Sequence, residues 1–321
     1  MNIENILKIL KKEFPYIYND FDTYCKLNDV IIAKLEDNSE VKEKLYKLSK
    51  DEIFSYAEAI LKSLDEAYYK EFLKLKQSGI IVIDENEKTK GSYLSVDGKM
   101  LNLKCIGSFF DVATLIHEFN HYLNRVTCEG KSPINRQCFG ETMAISFELY
   151  TQKFLISMGI PENLVGLNIR RDFEKKMANY FKPTLEKLKV CLDNKLFNDK
   201  TDVLNIKPEE KDFARRIGGH FQHLLGYVLS YYILNNYDIK SIIYLNDNLN
   251  DFQNIEAIFS YLKVSLNELL KFAKNDTLSL NDKKILILSV SFELFNISSR
   301  SHIIHRNIID FTNTIKICSR D

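Results

Sequence analysis

Apolar residues recur at helical spacing through most of this chain, and one short region breaks the habit. Residues 28–47 and 51–77 carry apolar positions three and four apart; in the second stretch Ile53, Tyr56, Ala57, Ile60, Leu61, Leu64 and Tyr68 fall on one stripe. Gly79 ends that helix and the texture changes. The segments "GIIVIDE", "GSYLSVDG" and "KMLNLKC" are short, rich in branched and aromatic residues, and separated by Gly or Asp-Gly. They predict two or three strands, with Asp97-Gly98 as a hairpin turn. Helical texture resumes at Asp111 and continues through 139–158, 162–195 and 207–237, with shorter helices over 248–273 and 280–296. The final stretch "NISSRSHIIHRNIIDFTNTIKICSRD" is only weakly periodic. The expected fold is mainly α, with a small antiparallel β-sheet just before the helix at 111–126. Residues 1–80 form an N-terminal helical region, 81–275 a core and 276–321 a C-terminal helical region, packed as one compact unit.

Composition changes this picture little. The chain has 321 residues, 45% of them hydrophobic, with only 11 Gly and 5 Pro to interrupt helices. Lys+Arg and Asp+Glu both number 44, and no long basic run occurs, which argues against nucleic acid as a partner. The start "MNIENILKILKKEF" has an early acid and no long apolar core, so it does not read as a secretory signal. No apolar run reaches about 18 residues, so no membrane span is expected. Six cysteines lie scattered without C-x-x-C spacing and read as reduced thiols of a cytoplasmic protein, mostly buried. Cys128 and Cys138 lie close to the candidate site below, but neither has a partner at ligand spacing.

The chemistry is concentrated in "DVATLIHEFNHYLNR", residues 111–125. On a helix, residues four apart share a face about 5–6 Å apart, so His117 and His121 can both address one metal ion. Glu118 is rotated by about 100° and can reach a water on that ion without ligating it. Ser108 and Asp111 are candidate caps, and Val112, Leu115, Ile116, Phe119 and Leu123 supply the apolar face. Zinc hydrolases use three protein ligands and leave one position open. Glu141, opening the helix-like "ETMAISFELY" twenty residues after His121, is the candidate third ligand. The plainer account of Glu141 is a solvated first-turn acid favoured by the helix dipole. Glu148, two turns further on the same face, can accept a hydrogen bond from a ligand histidine, or be a surface acid.

These segments resemble the core of the thimet oligopeptidase/oligoendopeptidase F family of zinc peptidases. In that family a Gly-x-Tyr strand precedes an apolar strand and then a Thr-Leu-x-His-Glu helix. Lys90, Gly91, Tyr93, Leu101-Asn102-Leu103, Thr114-Leu115 and His117-Glu118 match this order, and Glu141 and Glu148 repeat the seven-residue spacing of the family's third ligand and the Glu after it. Further on, "GGHFQHLLGYVLSYYILNN" resembles the family's late segment, whose histidine and tyrosines line the cleft opposite zinc. The resemblance covers about residues 85–235 and implies a helical metallopeptidase fold holding Zn²⁺. Three departures stand out. Asn120 replaces a glycine of the motif, the spacing from His121 to Glu141 is shorter, and the chain has about half the family's usual length. Much of the helical lid that restricts those enzymes to short peptides is therefore expected to be missing.

The late segment also carries a pattern of its own. On an ideal helix His220, His223, Tyr227 and Tyr231 fall within about 80° of one another, while Leu224, Leu225, Val228, Leu229 and Tyr232 cover the rest. Such a seam suits a cleft wall, or a core helix whose tyrosines reach solvent. Gly218-Gly219 is a candidate break that would decide whether His220 or His223 faces the metal.

Together these residues predict a zinc-dependent peptidase. His117, His121 and Glu141 would hold Zn²⁺, Glu118 as general base would take the proton of the water that attacks the scissile carbonyl, and a tyrosine (Tyr227 or Tyr231, with Tyr231 favoured) or a His N–H would stabilise the oxyanion. The strand around 99–105 would bind the peptide or protein substrate by strand addition. Two other readings stand beside this one: a zinc endopeptidase dedicated to one protein target, and a non-catalytic helical binding module. Retention of Glu118 speaks against the second, since a structural site has no use for a base.

Overall fold

The computed structural model describes residues 2–35, 48–84, 92–95, 100–127, 133–194, 206–252, 255–275 and 278. Twelve α-helices and a three-stranded sheet account for most of them. The N-terminal region supplies α1 (Ile3–Glu13), α2 (Pro15–Asn19), α3 (Phe21–Leu35), α4 (Lys50–Leu64) and α5 (Glu66–Gln77). The stripe at 51–77 is thus two helices. Asp65 breaks it by adopting an extended backbone and accepting from the N–H groups of Ala67 and Tyr68, which caps α5. Ser49 and Glu52 form a reciprocal capping box at the start of α4.

The sheet contains β1 (Ile81–Asp84), β2 (Tyr93–Leu94) and β3 (Leu101–Lys104) in the order β1-β3-β2. It is mixed, not antiparallel as the sequence predicts. β2 pairs antiparallel with β3, but β1 runs parallel to it, Ile81 opposite Leu101 through Asp84 opposite Lys104. The Asp97-Gly98 turn lies outside the described residues. A turn signal speaks only for its own two strands, whereas the β1 pairing is a long-range choice that buries Ile81 and Ile83 alongside Leu101 and Leu103. Because β1 and β2 occupy both sides of β3, the strand expected to receive substrate has no free edge. β2 is the edge on the other side.

After the sheet come α6 (Phe109–Thr127), α7 (Pro133–Ser157), α8 (Leu167–Asp193) and α9 (Pro208–Asn236), followed by α10 (Ile239–Asp247), α11 (Ile255–Tyr261) and α12 (Leu266–Asn275). The helix expected at 280–296 lies outside the described residues. α7 packs against α6 on one side and α9 on the other. Being enclosed, it is buried from Phe139 to Leu155 on nearly every face, and its hydroxyls turn back on the helix, Ser146 Oγ donating to the Thr142 carbonyl at 2.7 Å and Thr151 to that of Phe147 at 2.8 Å. One continuous apolar cluster runs from Ile6 on α1 to Leu278, so the N-terminal helices share the core of the rest.

α9 does not break at Gly218-Gly219. Gly218 is a contact glycine instead: a Cβ there would stand 2.5 Å from the ring of Phe14, so the missing side chain lets that ring seat on the helix. Gly226 does the same on another face, where a Cβ would come within 3.1 Å of the Thr142 backbone nitrogen. Ser230 then donates to the Thr142 carbonyl at 2.8 Å and ties α9 to α7 one residue from Glu141. Cys25 and Cys191 are buried free thiols, and burial pushes the Cys25 thiol up to about 12, out of reach of ordinary thiolate chemistry. The side chains of Cys128 and Cys138 lie outside the described residues. No helix among those described is long and apolar enough to cross a membrane.

Candidate metal centre

α6 is fixed at its start by Asp111, whose buried carboxylate accepts from the backbone N–H groups of Ser108 at 2.8 Å and Ile106 at 3.1 Å. The Ser108 hydroxyl itself caps nothing, so of the two expected caps only Asp111 acts. Two turns on, His117 and His121 stand side by side with their Nε2 atoms 3.2 Å apart. Glu141 arrives from α7, its carboxylate 3.7 Å from His117 Nε2 and 3.4 Å from His121 Nε2. α7 begins at Pro133, so Glu141 lies beyond the first turn and a dipole-favoured terminal acid does not account for it.

A metal can be tested against these separations. Ligand bonds of about 2.0–2.1 Å in tetrahedral array put neighbouring donor atoms about 3.3 Å apart. The three separations observed bracket that value. Glu141 Oε2 is buried and has no hydrogen-bond partner among the described residues, as expected of an oxygen waiting for a cation. The charges agree. Glu118, Glu141, Glu148 and Glu174 surround the single guanidinium of Arg170, a surplus of carboxylate that a divalent ion offsets. Of the described residues, His117, His121 and Glu141 form a set able to hold a metal ion.

A second layer orients the first. Glu148 is fully buried and its Oε2 lies 3.0 Å from His117 Nδ1, so Nδ1–H donates to it and Nε2 presents its lone pair to the site. Arg170 on α8 holds Glu148 with Nε at 3.0 Å from Oε1 and Nη2 on Oε2, and reaches Glu174 at 3.5 Å. Burial opposes ionisation of Glu148, but the Arg170 guanidinium and the hydrogen bond from His117 win and hold its carboxyl low, at about 2. Burial likewise opposes Glu141, and His223, His121 and His117 overcome it. His121 is pushed the other way, with burial lowering it and keeping the imidazole a neutral donor. Glu118 is buried beside the cluster; burial, reinforced by Glu141 and Glu148, raises its carboxyl to about 7.

Asn120 fills the position of the motif's glycine for a packing reason. Its amide donates to Asn246 Oδ1 at 3.2 Å and its carbonyl accepts from Asn124 at 3.0 Å; Asn246 in turn donates to the Tyr68 hydroxyl at 2.8 Å, which donates to Asp247 at 2.5 Å. This buried chain locks the back of α6 to α10 and α5.

The late seam divides. His223 comes to the site, Nδ1 3.4 Å from Glu141 Oε2, with its ring against Phe173. His220 does not. It lies 2.8 Å from Asn28 Oδ1 and stacks on Phe181, and burial lowers it to about 3, which marks a neutral core histidine. Tyr227 and Tyr231 are buried, pack edge to face at 5.1 Å, and interact with Arg171 rather than lining the cleft. The cause is α8, which lies along the seam in reverse order: Phe181 on His220, Phe173 on His223, Arg171 on the tyrosines. Sequence reasoning missed Arg170, whose only signal is its four-residue spacing from Glu174 in "NIRRDFE", among many similar charge pairs. It noted the strand of Tyr93 without placing it at the site, where Ser92, Tyr93 and Leu94 form one wall of a cavity of about 440 Å³ containing His117, Glu118, His121, Glu141 and His223.

No protein-family model, curated protein or solved structure matches this chain. The family resemblance therefore rests on the sequence motifs alone.

Proposed function

We propose that this protein is a zinc-dependent peptidase of the kind its motifs resemble. The observation that carries the reading is the buried Glu118 carboxyl set beside the converging His117, His121 and Glu141. A site that only braced the fold would need the three ligands and no fourth acid at its open side. When bound, zinc supplies Lewis-acid chemistry, acidifying water and polarising a peptide carbonyl. The remaining steps fall to the chain. Glu118, poised near neutrality, takes a proton from the attacking water on its carboxylate and returns it to the departing amine. Glu148 keeps the His117 tautomer, and Arg170 keeps Glu148 ionised. His223, which borders the cavity, donates to the developing oxyanion, the role that the sequence left open between Tyr227 or Tyr231 and a His N–H. An extended substrate adds to the β2 edge, whose residues border the same cavity.

The test has two parts. Elemental analysis of purified protein should find one zinc per chain. Glu118→Gln should retain that zinc and lose roughly 10²–10⁴-fold in hydrolysis of a peptide mixture, the usual contribution of a general base. A protein that takes up no zinc, or a Gln variant cleaving at the parent rate, would end this reading.

A further inference from the structure

A second cavity, of about 420 Å³, adjoins the first and shares Ser92, His117, Glu118 and His223 with it. The two differ in character. The first carries the ligand set and Asn124; the second is walled by Ile106 after β3, Phe110 on α6, and Ile169 and Phe173 on α8. Of its charged wall residues, Asp111 is engaged with the backbone at 106 and 108 and Arg170 with Glu148, while Lys104, half-buried at the end of β3, supplies one charged edge. Ile106, Phe110, Ile169 and Phe173 make the larger, apolar side of the cavity, and Ile106 and Phe173 are 42% and 43% exposed. Two large apolar side chains held open at the lip of a cavity that touches the candidate base need an occupant.

We propose that this second cavity is a specificity pocket for a large apolar side chain of the bound peptide, next to the bond presented to Glu118. The placement of the peptide rests on the peptidase reading above. An extended strand on β2 sends alternate side chains to one face, so one residue near the scissile bond is directed at the helices that wall the pocket. The pocket is large enough for an aromatic ring, and burying one there removes apolar surface on both partners from water.

Zinc-reconstituted full-length protein is incubated with a mixed peptide library and the products are sequenced by mass spectrometry. Phe, Leu, Ile and Met are expected at one fixed position beside the scissile bond, favoured over Gly and Asp about tenfold or more. Phe173→Ala and Ile106→Ala change half-exposed positions, and each should weaken that preference in a protein that circular dichroism shows folded. A flat profile, or a preference that both variants leave intact, overturns the pocket. Binding separates this result from failure of the peptidase reading. Labelled peptides with Phe or Gly at the central position are titrated against Glu118→Gln by fluorescence anisotropy. If the library stays intact, yet Phe peptides bind about tenfold tighter and Phe173→Ala closes the gap, the peptidase reading fails and the pocket stands. Equal binding of the two peptides overturns the pocket too.

Discussion

Two helices of this protein each carry a closely spaced pair of histidines, and they come to opposite ends. On α6, His117 and His121 bring their Nε2 atoms within 3.2 Å; on α9, His223 turns to Glu141 while His220 stacks on Phe181 and bonds to Asn28. Helical spacing puts each pair on one face. What differs is the neighbour. α6 meets a carboxylate of α7 across an open cavity, whereas α9 is overlaid by the aromatic and cationic side chains of α8. A shared face offers two histidines to a common ion, and only the facing element decides whether there is room for one.

The sharpest way to break this comparison is to remove a histidine from each pair. His117→Ala or His121→Ala should abolish stoichiometric zinc binding, read by elemental analysis after dialysis, while His220→Ala should retain it. Zinc lost from His220→Ala in a folded protein would mean that the two helices are not separate in role.

One step out from the ligands, Glu148→Gln should weaken zinc about 10–100-fold in competition with a chromophoric chelator, and Arg170→Met should do the same. Glu148→Gln should keep its fold by circular dichroism, so a loss of affinity there reports orientation of His117. Unchanged affinity in both would reduce the Arg170–Glu148 pair to packing.

The α9 histidine makes its own mark in pH. His220 is lowered in the fold from 6.5 to about 3, so below pH 6.5 the unfolded chain takes up a proton that the folded one refuses. Its contribution is neutral above 6.5 and increasingly destabilising as pH falls towards 3. Denaturant midpoints measured between pH 7 and 4 should therefore drop less steeply for His220→Gln than for the parent. Parallel slopes would place His220 in water.

The smallest effect is expected at the tyrosines. Tyr227→Phe should change peptide hydrolysis by no more than a few-fold, because its ring packs on Tyr231 away from the cleft. A fall of about 100-fold in kcat at unchanged KM, the cost of a lost oxyanion donor, would restore the role that the sequence alone suggested.

The sequence by itself determined what is local. Helical periodicity located α6 through α9 to within a few residues, except that α7 starts six residues early, and the four-residue spacing of His117 and His121 set their common face. The strands were legible as short branched runs bounded by glycine. Tertiary structure decided everything that depends on which surface meets which. It made the sheet mixed, because pairing of β1 with β3 is settled by burial of both strands and not by a turn. It brought Glu141 to the histidines by packing α7 on α6, while the close approach that Gly226 allows sets α9 against α7 beside Glu141. It chose His223 over His220, and it turned Arg170, one charge among many in the sequence, into the support of Glu148. Side-chain spacing along a helix is a property of the backbone and can be read from the chain, but convergence, burial and the resulting shifts in protonation arise between elements far apart in sequence, where only packing supplies the distances.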